Sequence, residues 1–251
     1  MLTRLNKLLA HNGFGSRRTI DELLAKGQVR VNGEVASVGQ SVSKSDSIVI
    51  NGSVVSLQFP EESATLLLMY HKPKGQLCSH SDKEERDMIY AHLPPLPAHS
   101  GRWVSVGRLD YQTSGLLLLT NDGAFADALA HPRSGCEREY LVKVRGIYDS
   151  SHPCWRQGVT IGPGEVVKPK RVECLEQLPQ AYWVRIVLTT GYYRGVRRFF
   201  EKIGHSVVKL QRTRYSVLSL DHELEPGQWR YCTDHEIVKL KQLVVFKGNK
   251  V

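Results

Sequence analysis

The sequence predicts an α+β chain, with a larger domain on a mixed, largely antiparallel sheet with flanking helices, preceded by a small module of two helices and a hairpin. Three observations carry this expectation. Short apolar runs of strand length, bounded by turn residues, recur through the larger part of the chain, with helical segments between them. Two helix-period segments, each closed by a glycine, stand near the start. Between Val31 and Val35, Asn32-Gly33 is the dipeptide best suited to a two-residue hairpin turn.

In chain order, Leu5, Leu8 and Leu9 share a helical face and Gly13 follows as a stop. Ser16 is placed to cap a second helix, to which Ile20, Leu23 and Leu24 give an apolar face and Gly27 an end. Val29, Val31 and Val35 then alternate through the hairpin, and the module is assigned to residues 1–58. Arg17 and Arg18 open the second helix against its dipole, and Arg4, Lys7, Lys26 and Arg30 belong to the same unit. Gathered on one side, these cations form a phosphate-contacting surface that positions a polyanion without reading its sequence; dispersed, they are an ordinary solvated face. Residues 59–65, FPEESAT, read as a linker.

The larger domain is assigned to residues 66–251. Residues 66–70 form a buried strand running into Lys72-Pro73-Lys74-Gly75, Pro94, Pro95 and Pro97 mark a loop, and residues 104–109 return to the sheet. Further strands are expected over 116–119, 141–144, 182–188 and 207–210, with helices near 124–130 and 196–203. Gly162-Pro163-Gly164 is a turn; a phosphate loop would end in Gly-Lys-Ser/Thr. No internal repeat or low-complexity segment is evident.

With 251 residues the chain has room for both parts, and its formal net charge of +9 favours a polyanionic partner. The start, MLTRLNKLLA, lacks a secretory apolar stretch, and no apolar run approaches the length of a membrane span. Cys78, Cys136, Cys154, Cys174 and Cys232 are odd in number and widely spaced, which suits a reducing cytoplasm better than a disulfide scaffold. Neither they nor the scattered histidines make a metal-ligand pattern, so no metal is expected.

The most informative run is GRLDYQTSGLLLLT, residues 107–120. A polar loop with one arginine and one carboxylate passes directly into an apolar strand, an arrangement able to hold Asp110 firmly beside a cleft. Asp110 is equally suited to capping a turn through Thr113 or Ser114. A second cluster spans residues 191–214 and includes Tyr192, Tyr193, Arg194, Arg197, Arg198, Phe199, Phe200, Arg212 and Arg214. Cations interleaved with aromatics can hold phosphates while stacking unpaired bases, although Phe199, Phe200 and Ile203 also read as the buried side of a helix.

At this point the chain resembles a known family. GRLDYQTSGLLLLTNDG is similar to the catalytic motif of the pseudouridine synthases, in the branch that modifies ribosomal RNA. The likeness extends through Lys72-Pro73-Lys74-Gly75, Arg138-Glu139-Tyr140-Leu141-Val142, and Gly195-Val196-Arg197-Arg198-Phe199-Phe200. GSRR and VRVNG in the first module resemble the small alpha-L RNA-binding domain shared with a small-subunit ribosomal protein.

The resemblance implies the pseudouridine synthase catalytic fold and isomerisation of a uridine, without cofactor. Asp110 matches the carboxylate that acts on the target nucleotide, by attack on the uracil ring or by removal of a ribose proton, Arg197 the basic residue paired with it, and Tyr140 the tyrosine that stacks on the ring and is implicated in proton removal from carbon 5. Leu188 matches an apolar residue near that ring, and Arg108 one that enters the space vacated by the extruded nucleotide. Lys72 and Lys74 are expected at the rim or beneath the active-site loop, and Thr113 and Arg198 complete the expected substrate contacts. Arg194, Arg212 and Arg214 join the module's cations as expected RNA contacts. Tyr192, Gly195 and Thr190 depart from the family pattern, which bears on specificity more than on reaction type.

The terminal stretch Glu225-Pro226-Gly227-Gln228-Trp229-Arg230 resembles large-subunit members. The expected substrate is therefore a uridine of 23S ribosomal RNA near the peptidyl-transferase region, in a stem-loop or assembly intermediate, met by a monomer in the cytoplasm. A 16S site and a non-catalytic ribosome-assembly factor are the alternatives. No long base-reading helix supports a DNA-binding module.

Overall fold

The structure is a computed structural model that describes residues 2–59, 64–97 and 100–248. In the first part, Leu5, Leu8 and Leu9 are fully covered on the helix Leu5–His11, and Ile20 and Leu24 on the helix Arg17–Ala25. Ser16 caps the second helix, its hydroxyl accepting from the Thr19 amide at 3.0 Å. Asn32 and Gly33 both have positive φ, 53° and 87°, and Val31 pairs with Glu34, as a two-residue turn between twisted strands requires. The strands Glu34–Val35, Val29–Val31, Ile48–Ile50 and Ser53–Val54 lie side by side in that order. Val29, Val31, Ile48 and Ile50 close the core beneath the leucines.

Phe59, expected in the linker, is only 5 % exposed and belongs to this core. Asn12 holds the preceding residue at both ends, donating to Gln58 O and accepting from its amide, each at 2.9 Å. A buried phenyl ring and a doubly bonded backbone fix the chain as the module does, so the first part runs past residue 58. Residues 60–63, the rest of the expected linker, lie outside the described residues.

Two compact units result: the chain up to Leu66 with Pro94–Val104 and Thr120–Asp122, and Leu67–Leu93 with Ser105–Leu119 and the chain from Gly123 on. Residues 94–104 and 120–122, expected in the larger domain, therefore group with the first unit. Asn121 accounts for part of this, accepting from the Leu66 amide at 2.8 Å and donating to Ala64 O at 3.0 Å.

The second unit is built on a mixed sheet. Its strands run in the order Arg171–Leu178, Ala181–Leu188, Arg138–Arg145, Ser206–Tyr215, Ser114–Thr120, Leu67–Lys72 and Trp229–Tyr231. The first four pair antiparallel, Ser206–Tyr215 pairs parallel with Ser114–Thr120, and Trp229–Tyr231 is antiparallel to Leu67–Lys72. Leu67–Lys72 is buried along its whole length and Ser114–Thr120 from Gly115 onward, which is why both read as unbroken apolar runs. Arg138–Arg145 instead alternates, with Arg138, Tyr140, Val142 and Val144 on the buried face. The helices Gly123–Ala130 and Gly195–Lys202 stand where expected, the latter burying both Phe199 and Phe200. The expected return over 104–109 shrinks to the two-residue strand Val104–Ser105, because the chain leaves at Gly107 to make the loop that carries Asp110.

Candidate active site

A cleft of about 670 Å³ opens in the second unit. It is lined chiefly by residues 107–113, the start of the Arg138–Arg145 strand, and residues 188–196, with Leu210 and Arg212. Asp110 stands in the first of these stretches.

The loop around Asp110 is held through its backbone. Cys78 Sγ donates to Leu109 O at 3.4 Å, Lys72 Nζ to Asp110 O at 3.3 Å and Thr113 O at 3.0 Å, and the Gly75 amide to Tyr111 O at 2.9 Å. Arg197 Nη2 donates to Gln112 O at 2.8 Å, so five consecutive carbonyls are occupied. The Thr113 amide also returns to Asp110 O at 3.0 Å. What remains is the Asp110 carboxylate, half-buried, lining the cleft, and without a hydrogen bond or ion pair among the described residues. The turn is thus capped by the main-chain oxygen of Asp110, and its side chain is left for other work. Gly115 lets the strand depart from this loop: its φ is +109°, and a Cβ there would lie 2.2 Å from Arg212 O.

Of the two places expected for Lys72, rim or beneath the active-site loop, it takes the second, and it is not a substrate contact. It is fully buried and absent from the cleft lining, with Nζ donating to Pro73 O at 2.8 Å as well as to the two loop carbonyls. Three neutral acceptors suit an ammonium, but burial still pulls its pKa down to about 8, against the opposing pull of Cys78 and Asp110. Lys74 is exposed and lies outside the cleft lining.

Arg197 also departs from expectation, since no ion pair joins it to Asp110 among the described residues. It is spent on the main chain, Gln112 O and, at 3.4 Å, Val207 O, while its buried Nε has no partner. Burial lowers its pKa, Arg194 adds to this, and Asp110 opposes it, so the two groups interact through space without touching. Arg198 is committed elsewhere, to Glu165 at 2.7 Å and to the carbonyls of Ile161 and Tyr193, and does not line the cleft.

Of the remaining expected contacts, Tyr140, Leu188, Thr113, Arg108 and Arg194 all line the cleft. Tyr140 is 8 % exposed and its hydroxyl bonds to no described residue. Thr113 Oγ1 is buried without a partner. Arg108 is exposed, and Arg194 takes the left-handed conformation, φ 49°, immediately before the helix Gly195–Lys202.

Arg212 is no surface cation: it is 1 % exposed, lines the cleft and donates from Nε to Leu116 O at 2.7 Å. Arg214 pairs with Glu137 at 3.0 Å and Glu139 at 3.6 Å and lies outside the cleft lining. In the first unit Arg17, Arg18 and Lys26 are exposed, Lys7 is half-buried, and Arg4 and Arg30 bond to Gly39 O and Gly33 O. Two residues went unread: Cys78, which ties Leu109 and whose thiol burial pushes up, and Arg138, which lines the cleft. Strand alternation places Arg138 on the same face as Tyr140, so the signal for it was present in REYLV.

Residues 66–202 match the family model described as RNA pseudouridylate synthase, and residues 3–48 match the S4 domain. The chain belongs to the RNA pseudouridylate synthase family. It is 38 % identical over 249 residues to "Ribosomal large subunit pseudouridine synthase B" of Pseudomonas aeruginosa, covering 97 % of this chain and 63 % of that protein. The protein of the same name from Vibrio cholerae is 38 % identical over 257 residues, covering 100 % of this chain and 78 % of its own length. This chain thus spans less than two thirds of the first of these relatives. A solved structure, "Crystal structure of pseudouridylate synthase", superposes with a TM-score of 0.67 at 30 % identity, covering 94 % of this chain and 99 % of that one. The pseudouridine synthase fold and the small N-terminal RNA-binding domain expected from the sequence are therefore those of the family.

Proposed function

We propose that this pseudouridine synthase isomerises a uridine of 23S ribosomal RNA, near the peptidyl-transferase region, acting in the cytoplasm as a monomer. The observation that carries the catalytic reading is the Asp110 carboxylate, unpartnered in a cleft on a loop whose neighbouring carbonyls are all occupied. The names of the relatives support a large-subunit substrate.

Tyr140 and Leu188 both line the cleft, and to them falls the stacking and apolar contact of an extruded base. Asp110 then serves at the ribose, either bonding to C1′ as the glycosidic bond breaks or taking a proton from C2′. Confinement between the cleft walls keeps the detached base beside C1′ until its carbon 5 forms the new bond. Arg108 is the cation best placed to meet the backbone of the opened stem.

The test maps pseudouridines in unmodified 16S and 23S RNA after incubation with the wild-type chain or Asp110→Asn. One new 23S site with wild type alone is the expected result. A 16S site would replace the substrate. No site on free RNA or on pre-ribosomal particles would replace the enzyme with a binding protein.

A further inference from the structure

Two buried arginines that line the cleft have no carboxylate partner among the described residues. Arg138 is 5 % exposed and Arg212 1 % exposed, and both line the cleft. Both guanidinium carbons lie over the buried Tyr215 ring, at 5.2 and 5.1 Å. Arg138 bonds to the carbonyls of Cys136, Thr189 and Ala130 and to the Tyr215 hydroxyl, all uncharged. Arg212 has its single bond to Leu116 O, and its buried Nη2 has no partner. No carboxylate makes an ion pair with either among the described residues.

The half-buried arginines of the same sheet are treated differently. Arg214 and Arg185 are matched by Glu137, Glu139 and Glu173, and away from the strands Arg198 is matched by Glu165. Glu137 and Glu139 flank Arg138 in sequence, yet both are turned to other cations. An arginine cannot shed its proton to relieve burial, so an unpaired buried guanidinium is among the more costly groups a fold can retain. Two of them over one ring, beside Tyr140, which pairs in register with Arg212, require a benefit at the cleft.

We infer that Arg138 and Arg212 stabilise the negative charge that the pyrimidine ring carries while it is detached from the ribose. The inference rests on the isomerase reading above. When the C1′–N1 bond breaks, its electron pair stays on N1 and spreads to the ring carbonyl oxygens. The ribose is left to bond Asp110 oxygen at C1′ or to lose its C2′ proton to Asp110. Along both of these ribose paths the ring is an anion, so the charge requirement is the same for the two. It is discharged when carbon 5 donates its pair to C1′, as the Asp110 oxygen leaves C1′ on the first path or as Asp110 returns the proton to C2′ on the second; carbon 5 then releases its proton and N1 takes one up. A bound uridine is neutral, so cations fixed in the cleft lining act on the charge-separated state and little on binding, which is the condition for raising a rate.

Arg212 is the residue to change first, because removing Arg138 would strand several carbonyls whereas Arg212 leaves only Leu116 O. Single-turnover pseudouridine formation on unmodified 23S RNA is measured for the full-length wild type, Arg212→Met and Arg212→Lys, with RNA affinity and Tm recorded for each. Arg212→Met is expected to lose about 10²-fold in rate, with affinity unchanged and Tm level or higher; the Lys variant recovers most of the rate. With 5-fluorouridine, whose carbon 5 has no proton to release, cleavage of the N1 glycosidic bond is read instead of pseudouridine, and the loss on Arg212→Met shrinks, because fluorine withdraws electron density and stabilises the ring anion. An unchanged rate in Arg212→Met overturns the inference alone. So does a rate loss that follows a fall in Tm and is equal for both nucleosides, which marks a packing role. A wild-type chain that forms no pseudouridine on free RNA or pre-ribosomal particles overturns the isomerase reading and this inference with it.

Discussion

The Asp110 loop and the start of the helix Arg17–Ala25 hold their charges in opposite ways. Around Asp110 every carbonyl from Leu109 to Thr113 is bonded, and the carboxylate projects from a backbone with little room to move. At the helix, Arg17 and Arg18 stand in solvent; among the described residues their one ion pair is Arg18 with Glu22, at 3.8 Å, on side chains 92 % and 61 % exposed. Bond-making at one atom demands position, and misplacement by about 1 Å can cost about 10²-fold in rate. Attraction of a phosphate chain demands only nearby charge, which long, mobile side chains supply. The two regions should therefore fail differently when altered.

The largest effect belongs to Asp110→Asn. The substitution keeps the shape and all main-chain bonds but removes the nucleophile or base, so a loss of at least about 10³-fold in single-turnover rate is expected, with Tm and RNA affinity unchanged. Lys72→Met tests the support directly. Two loop carbonyls lose their donor while the volume stays filled, and a loss of about 10²-fold is expected with affinity retained. A Lys72→Met enzyme as fast as wild type would show that the remaining bonds suffice to fix Asp110.

The same lysine gives a pH test. Its pKa is about 8 in the fold against an ordinary value of 10.5, so between those limits the unfolded chain holds a proton that the native one has released. Stability contributed by this group therefore rises with pH across that window. Meanwhile the neutral amine has two N–H groups for three carbonyls, and the loop loosens. Activity should decline above about pH 8 in wild type while Tm shows no matching fall, and the decline should vanish from the residual activity of Lys72→Met.

Lys72 also shows where sequence reading stops. Its burial depends on acceptors 38 and 41 positions away, and no local pattern announces a lysine that will be enclosed by them. The central strands were legible because both of their faces are buried and their runs of leucine are continuous. The edge strand Arg171–Leu178 was not, since it is exposed at most positions and reads as a charged loop. The helix Asp234–Gly248 was legible but unread. Thr233 and Glu236 form a reciprocal cap, with the Thr233 amide donating to Glu236 Oε2 at 2.8 Å and the Glu236 amide to Thr233 Oγ1 at 3.3 Å. Asp110 and Tyr140 were readable by motif, but the orientation of Arg197, Arg212 and Arg214 was not. Which face a cation takes is decided by the carboxylates and carbonyls that tertiary structure delivers.

At the helix, the double variant Arg17→Glu, Arg18→Glu should weaken RNA binding and flatten the dependence of log affinity on log salt by about 2, while the rate at saturating RNA is unchanged. An unaltered salt slope would place the phosphate contacts elsewhere.

The smallest effect is also the one that separates stability from function at this helix. No acidic residue occupies its first turn, and Arg17 and Arg18 face the positive end of the dipole, so Ser16 is the favourable element there. Ser16→Ala should cost about 1 kcal/mol, read as roughly fivefold faster hydrogen exchange at the helix amides of the full-length chain. An Arg17→Gln, Arg18→Gln variant should shift exchange the other way, slowing it, because it clears two cations from the positive end of the dipole without setting like charges against Asp21 and Glu22, and the exposed Arg18–Glu22 pair contributes little. A change that strengthens the helix while weakening RNA binding would mean that the arginines are kept against the interest of the fold. Slower exchange with undiminished affinity would mean instead that they are solvated charge without a partner.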